Sequence, residues 1–364
     1  MLLAIDLTLT HGGGQQVFID FLRTLRSLNR KHAALVACNG WIAGNVDAIH
    51  SCTFTPAPSR NQSNFLYRGM RLLRFLATLV RHRALLRAAR HIVINDPELF
   101  LPGAVIAFAL KKRVSLYLHM AYRGQSARVL QIVSAFRSVE RIICVSNFVR
   151  RHMSTFLSGS ARRKLVVIEN ALADWGEDRA QHSGPPDCSR VALVGRLVPD
   201  KGQDIVCELS RRLPGVEFHL VGSFDNADPK YIDRLRRESG DNVKMVGYRH
   251  PVIGYLRDNR IGLVLVPSRI PEACPLVPIE AAAAGCAVIV RNLGGLAEVA
   301  SNIGLQAVDN DEGFYEAIST LLASDPGVIQ ARIESARRRA MTHYHPARYA
   351  RKVAEVFADC EGVR

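Results

Sequence analysis

Eleven short apolar runs, mostly five or six residues long, alternate along the chain with longer stretches of mixed polarity. LLAID (2–6), AALVAC (33–38), HIVIND (91–96), VSLYLH (114–119), RIICVS (141–146) and LVVIEN (165–170) form a first series. RVALVG (190–195), EFHLVG (217–222), VKMVG (243–247), IGLVLVPS (261–268) and CAVIV (286–290) form a second. Runs that are apolar throughout suit strands buried on both faces, and intervening helices supply that burial, so the pattern predicts an α/β chain with parallel sheets. VFIDFLRTLRSL (17–28) is amphipathic and helical, 65–90 is a basic, apolar-rich helical stretch, 51–64 is a polar loop, and 328–360 is helical. The polar, Gly-Pro-Pro-containing stretch 176–189 between the two series is the best linker. Two doubly wound halves of similar size are expected to place a ligand cleft at the carboxyl ends of their strands.

Charge divides the chain unevenly. Net charge is +15, and residues 1–184 hold 25 Lys and Arg against 10 Asp and Glu, which is the whole excess. Segment 48–95 has eight arginines and no acid. A one-sided basic half implies an anionic partner, either nucleic acid or an acidic membrane surface. Single-strand nucleic-acid binding calls for aromatics among the cations, but aromatics are 7% of the chain and 76–95 has none. Phe65, Leu66, Met70, Leu73, Phe75, Leu76, Leu79 and Val80, with Arg68, Arg71, Arg74, Arg81 and Arg83 among them, fit an interfacial helix better. The eight scattered cysteines contain no C-x-x-C pair and suit a reducing compartment. No apolar run reaches transmembrane length, and the chain enters a strand at once without a leader-like segment, so a cytoplasmic location is expected.

Two segments carry chemistry. In RVALVGRLVPDKG (190–202) a strand ends at Gly195, and Arg196 and Lys201 follow where a doubly wound sheet holds its ligand. A guanidinium fork and an ammonium five residues apart suit a diphosphate. In PEACPLVPIEAAAAG (271–285), Glu272 and Glu280 are separated by seven residues, Pro278 favours a helix start, and alanines continue to Gly285. Backbone amides near Leu276 and Val277 would then face outward, ready for an anion. The two carboxylates beside them would accept hydrogen bonds from hydroxyls on either side of the phosphates. The one D-x-D, Asp309-Asn310-Asp311, precedes FYEAISTLL and reads as a helix cap, so no metal is expected.

HGGGQQ near the start, VSNFVRRHM (145–153), VIENAL (167–172), VGRLVPDKGQD (194–204), the Glu–seven–Glu segment and GGLAEV (294–299) occur in order. With them the chain resembles glycosyltransferase family 4 of the GT-B fold over nearly its full length. The resemblance implies two Rossmann-like domains facing a central cleft. These are an acceptor-binding domain (1–182), a nucleotide-sugar-binding domain (187–342) and a C-terminal helix (343–364) that crosses back to the first domain. It implies that Glu272 touches hydroxyls of the transferred sugar and that Glu280 binds the ribose hydroxyls. Arg196 and Lys201 would grip the diphosphate, and Gly13 and Gly14 would form a loop approaching phosphates and acceptor. His119 would contact the sugar near the reacting carbon. Gly222, Tyr248, Cys274, Pro275, Leu276 and Val277 would complete the donor site. The family's common Phe-Gly after the first Glu is Ala273-Cys274 here, and Gln15-Gln16 stand where many members have Ala-Glu.

The implied activity is retaining, metal-independent transfer of a hexose from a GDP- or UDP-sugar to a glycan or lipid-linked glycan acceptor. The setting would be bacterial surface polysaccharide synthesis, cytoplasmic or peripheral on the inner face of the membrane. The alternatives are a nucleotide-sugar epimerase or hydrolase on the same fold, and a basic nucleic-acid-binding protein.

Overall fold

In the computed structural model the apolar runs become strands of two fully parallel sheets. The structure describes residues 1–9, 12–38, 40–45, 51–53, 65–172, 186–224 and 227–360. The first sheet holds β1 (Leu2–Asp6), β2 (His32–Ala37), β3 (Ser51–Thr53), β4 (His91–Ile94), β5 (Arg113–Leu118), β6 (Val139–Cys144) and β7 (Leu165–Val167), in the order β3-β2-β1-β4-β5-β6-β7. The second holds β8 (Asp187–Val194), β9 (Glu217–Val221), β10 (Val243–Gly247), β11 (Ile261–Val266), β12 (Ala287–Arg291) and β13 (Gln306–Val308), in the order β10-β9-β8-β11-β12-β13. β1, β4 and β11 are buried at every residue, as strands covered on both faces must be. In each sheet the chain runs outward from one strand and then returns to that strand's other side. The loops after β1 and β4, and those after β8 and β11, therefore diverge, which leaves an opening at each carboxyl edge.

Two strands lie where the apolar pattern gives no run. β3, inside the expected polar loop, pairs with β2 as Leu35↔Ser51, Val36↔Cys52 and Ala37↔Thr53, and the rest of that loop (54–64) lies outside the described residues. β13 closes the other sheet's edge. β3 (Ser-Cys-Thr) and β13 (Gln-Ala-Val) each include polar residues, so neither gives an apolar run, unlike the equally short edge strand β7. The helical stretch 65–90 is two helices, α2 (Phe65–Arg81) and Arg83–Ala88, broken at His82. The last helical stretch is also two helices, Pro326–His343 and Pro346–Val356. Pro346 lacks an N–H and disfavours helical geometry at His345, so one helix cannot run through.

The contacts divide the chain into Met1–Asn170 with Ala347–Arg364, and Ala171–Pro346. The division falls earlier than composition suggests. The Leu172 N–H donates to the Tyr344 carbonyl at 3.1 Å. The Leu172 side chain is buried with Ile253, Ile279 and Ile303, so the chain has joined the second unit before the polar stretch begins. Residues 173–185, which include most of that stretch, lie outside the described residues. Asn302 holds both His343 (3.2 Å) and the Tyr344 hydroxyl (3.0 Å), which moves the return to the first unit from 343 to Ala347. There Tyr349, Val353 and Val356 form one buried stripe of the final helix. The Tyr349 hydroxyl meets that of Tyr117 at 3.2 Å, and Phe357 packs on Phe21 at 5.6 Å. Arg30 donates to the carbonyls of Phe357 (2.6 Å) and Ala354 (3.2 Å).

α2 corrects part of the interfacial reading. Phe75 and Leu79 are core residues, and Arg71 turns inward to pair with Asp96 at 2.5 Å and with Glu98. The partners of Arg71 sit just past the acid-free segment, which is why sequence proximity hid them. Met70, Leu73, Leu76 and Val80 remain exposed, Leu73 at 68% and Val80 at 66%, and Arg74 and Arg81 are exposed beside them. The side chains of Phe65, Leu66 and Arg68 lie outside the described residues.

Gly222 sets the spacing at the carboxyl edge of the second sheet. A Cβ there would lie 1.8 Å from the Gly195 carbonyl oxygen, while the Gly195 N–H donates to Val221 (2.9 Å) and the Gly222 N–H to Gly247 (3.0 Å). Gly222→Ala should therefore destabilise by about 1–3 kcal/mol, the cost of overpacking, and lower the melting temperature by roughly 2–12 °C. Gly215→Ala, where a Cβ meets nothing within 4 Å, should change the melting temperature little. Equal melting temperatures for the two variants would contradict this spacing role.

Candidate active site

In the second unit the loops after β8 and β11 meet. The first turns at Gly202, which has φ +70°, and a Cβ there would lie 2.4 Å from the Pro267 carbonyl oxygen of the second. Only glycine reconciles that left-handed turn with so close an approach. Buried Gln203 donates to the Arg196 carbonyl at 2.7 Å and pins the loop. Lys201 Nζ then stands 2.8 Å from Glu272 Oε2. Buried Ser268 donates to the other carboxylate oxygen, Oε1.

The backbone of Glu272 is held from a third side. Its carbonyl accepts from the Gly295 N–H at 2.8 Å, and Glu272 pairs with Gly294 as a lone parallel bridge. A Cβ on Gly294 (φ +60°) would lie 2.8 Å from Pro271 Cβ, and one on Gly295 would lie 2.4 Å from the Ala273 carbonyl. The glycine pair of GGLAEV thus lets the Glu272 loop settle against the next helix. Sequence reasoning picked out this motif without its role, and it left Ser268 and Gln203 unmarked because single polar residues at strand ends carry no pattern.

The Glu272 loop runs into the helix Val277–Ala284, with Leu276 at its N-cap and Pro278 in its first turn. The Leu276 carbonyl accepts from the N–H groups of Ile279 (2.9 Å) and Glu280 (2.8 Å). Before them Pro278 has no N–H, and the N–H groups of Leu276 and Val277 form the positively polarised end of the helix. Glu280 sits in the first turn, and burial raises its carboxyl to about 7. Gly195, Lys201, Gln203, Ser268, Glu272 and Val277 line one recess, floored by Leu193, Val194, Leu265, Val266 and Pro267.

Of the other expected donor residues, Cys274, Leu276 and Val277 are partly exposed and Pro275 is buried. Arg196 and Tyr248 are exposed and do not line the recess, and Tyr248 stacks near His250 at 6.5 Å. Gly222 acts through the backbone spacing described above. In Asp309-Asn310-Asp311 the cap is Asn310, whose side chain accepts from the Gly313 N–H at 2.8 Å. Asp311 pairs with Arg291 and, at 3.1 Å, with Arg269, and Asp309 accepts from Asn292 at 2.8 Å.

The first unit has its own cluster at the ends of β1, β4 and β5. Asp6, fully buried, accepts from the Thr8 N–H (2.8 Å), the Thr8 hydroxyl and Asn95 Nδ2 (2.6 Å). Burial raises its pKa against the lowering effect of those bonds. His119 Nε2 lies 2.5 Å from Asn95 Oδ1, and burial lowers the ring's pKa to about 3, so the imidazole is neutral. A Cβ on Gly14 would lie 3.1 Å from His119 Cγ, so Gly14 and His119 are neighbours, whereas a Cβ on Gly13 would meet nothing within 4 Å. His11, the first residue of HGGGQQ, lies outside the described residues. Asp6 and Asn95 went unmarked because each reads as part of the polar end of an apolar run.

The family model described as Glycosyl transferases group 1 matches residues 188–324. D-inositol 3-phosphate glycosyltransferase of Mycolicibacterium smegmatis is 31% identical over 215 residues, 51% of this chain and 49% of that protein. Glycogen synthase of Mycobacterium tuberculosis is 28% identical over 221 residues, 56% of this chain and 50% of that protein. The chain thus spans about half the length of these curated relatives. Among solved structures, Anabaena HepE in complex with UDP and glucose matches with a TM-score of 0.79 over 98% of this chain and 99% of that one, at 19% identity. Sucrose-phosphate synthase from Thermosynechococcus elongatus matches with a TM-score of 0.75 over 98% of each chain, at 17% identity. Residues 188–324 therefore match the Glycosyl transferases group 1 family model, and the chain as a whole has the GT-B fold, shared with these solved structures.

Proposed function

We propose that the chain is a retaining glycosyltransferase that moves a hexose from a GDP- or UDP-sugar to a glycan or lipid-linked glycan acceptor, in bacterial surface polysaccharide synthesis. The observation that carries the reading is the meeting of Lys201, Glu272 and the N-terminus of helix Val277–Ala284 at one recess on the carboxyl edge of a parallel sheet. As the glycosidic bond breaks, the leaving diphosphate gains negative charge, and preorganised positive groups stabilise that change most. Lys201 and the free helix amides supply them, with Arg196 on the same loop as an exposed second cation. Transfer on this reading needs no metal. Glu272, oriented by Ser268, accepts from hydroxyls of the transferred sugar, and Glu280 accepts from the ribose diol. On the resemblance, His119 contacts the transferred sugar and Gly14 belongs to the loop that approaches the phosphates and acceptor. The departing phosphate oxygen takes the acceptor's proton on the face it leaves, so no carboxylate nucleophile is assigned. HepE was solved with UDP and with UDP-glucose, and the shared fold supports a nucleotide-sugar donor here. Donor turnover without an acceptor would mark an epimerase or hydrolase instead.

The enzyme is placed in the cytoplasm, docked on an anionic membrane face through α2. Met70, Leu73, Leu76 and Val80 fall within one arc of about 120° on that helix, with Arg74 and Arg81 along one side of it. Apolar groups at the headgroup boundary and arginines at lipid phosphates suit that mixture, each cation contributing about 1 kcal/mol. Among the described residues no helix is long and apolar enough to cross a membrane.

Three outcomes are expected. With EDTA present throughout, the wild type should transfer sugar, and Lys201→Ala and Glu272→Ala should each lower kcat by about 100-fold or more, the scale of losing one electrostatic stabiliser. Near-normal kcat in both variants would remove the diphosphate assignment. Second, nucleotide affinity should rise with pH through about 7. The ribose hydroxyls donate to ionised Glu280, burial keeps that carboxyl protonated below this range, and binding therefore releases a proton. Calorimetry in buffers of different ionisation enthalpy reads that release. Glu280→Gln should abolish it and raise KM more than it lowers kcat, because a diol is held alike in ground and transition states. A pH dependence identical in the two proteins would remove Glu280 from the ribose site. Third, the protein should pellet with phosphatidylglycerol vesicles and be released by high salt, and Arg74→Glu with Arg81→Glu should abolish pelleting. Equal recovery with neutral and anionic vesicles would contradict docking.

A further inference from the structure

The Asn95 side chain settles which way the His119 proton faces. One terminal atom of its amide lies 2.6 Å from Asp6 Oδ2 and 3.4 Å from the Gly14 carbonyl oxygen. A backbone carbonyl only accepts, so that atom is the amide nitrogen, and it donates to both oxygens. The other terminal atom is then the oxygen, and it faces His119 Nε2 at 2.5 Å. An amide oxygen also only accepts, so Nε2 must carry the hydrogen. A neutral imidazole has one N–H, which leaves Nδ1 as a bare lone pair. Among the described residues no group hydrogen-bonds Nδ1. The ring plane is fixed as well. The Tyr117 ring lies parallel at 4.9 Å and 4°, and Gly14 closes against the ring near Cγ and Cδ2.

We propose that Asp6 and Asn95 are positioning residues that lock His119 as the Nε2–H tautomer and hold Nδ1 out as a hydrogen-bond acceptor for a hydroxyl of the bound sugar. Asp6 begins the relay: Thr8 fixes one carboxylate oxygen, and the other takes the Asn95 amide N–H, which fixes the amide's orientation in turn. The consequence is chemical selection. A neutral acceptor nitrogen binds a hydroxyl and repels a phosphate or carbonyl oxygen, so His119 receives a sugar hydroxyl and not the diphosphate. The opposite tautomer would reverse that preference. The identity of the ligand rests on the function proposed above, while the tautomer lock is a property of the first unit alone.

The test is a long-range 1H–15N correlation spectrum of the full-length protein labelled with 15N-histidine, ligand-free and near neutral pH, with the His119→Gln spectrum assigning the ring. The expected result is a single form of His119, Nε2 in the N–H range and Nδ1 in the unprotonated range. In Asn95→Leu the ring should become a tautomer mixture, and kcat/KM for the donor should fall by up to about 100-fold, the scale of a small misplacement of a positioned group. An Nδ1–H form, an imidazolium or a mixture in the wild type overturns the proposal, and so does an unchanged tautomer in Asn95→Leu. The wild-type spectrum decides even if that variant fails to fold. The predicted tautomer together with unaltered donor kinetics in His119→Gln would support the lock and overturn the reading of its ligand.

Discussion

Lys201 and Glu272 stand 2.8 Å apart because the loop at Gly202 passes the Pro267 carbonyl too closely for a side chain. Gly202 turns left-handed against the Pro267 carbonyl, and Gly294 and Gly295 let the Glu272 loop close onto the next helix. The parallel sheet supplies the crossing, since β8 and β11 are neighbours whose following loops leave in opposite directions. Side-chain chemistry is thus set by backbone packing. The ion pair itself is partly exposed, and such pairs are worth on the order of 1 kcal/mol or less. On the proposed reading, a diphosphate with helix amides beside it would take Lys201 from Glu272 at little cost. The carboxylate would then accept from hydroxyls, and the pair would become two separate binding groups.

The first unit repeats the architecture with different electrostatics. At the ends of β1, β4 and β5 the groups are a buried carboxylate, an amide and a neutral imidazole instead of an ion pair. Nearby, Arg71 is spent on Asp96 and Glu98 and so is not available to a ligand. Such a cluster suits hydroxyl recognition more than anion binding, which matches the division of labour proposed for the two units.

Most of the fold was legible because a strand buried on both faces must be apolar throughout. LLAID coincides with β1 at both ends and is buried throughout, whereas VKMVG coincides with the edge strand β10, where Lys244 is exposed. Legibility failed at edge strands β3 and β13, whose polar residues break any apolar run, and at Pro346, whose effect on His345 splits one helical stretch into two. Within the candidate site, Lys201 and Glu272 were marked because they lie in the connections that follow β8 and β11, at the carboxyl edge of the sheet. Ser268, Gln203, Asp6 and Asn95 were not, since each acts by holding a group distant in sequence. Arg71 was misread for the same reason: its helix is locally acid-free, and the carboxylates that claim it come from the loop after β4.

The most direct measurement is a crystal structure of the full chain with UDP or GDP bound. The account predicts the β-phosphate against the free N–H groups at Leu276 and Val277, with Lys201 Nζ moved from Glu272 onto a phosphate oxygen and the ribose hydroxyls on Glu280. A nucleotide seated away from the helix Val277–Ala284, or one that leaves the Lys201–Glu272 pair intact, would contradict it.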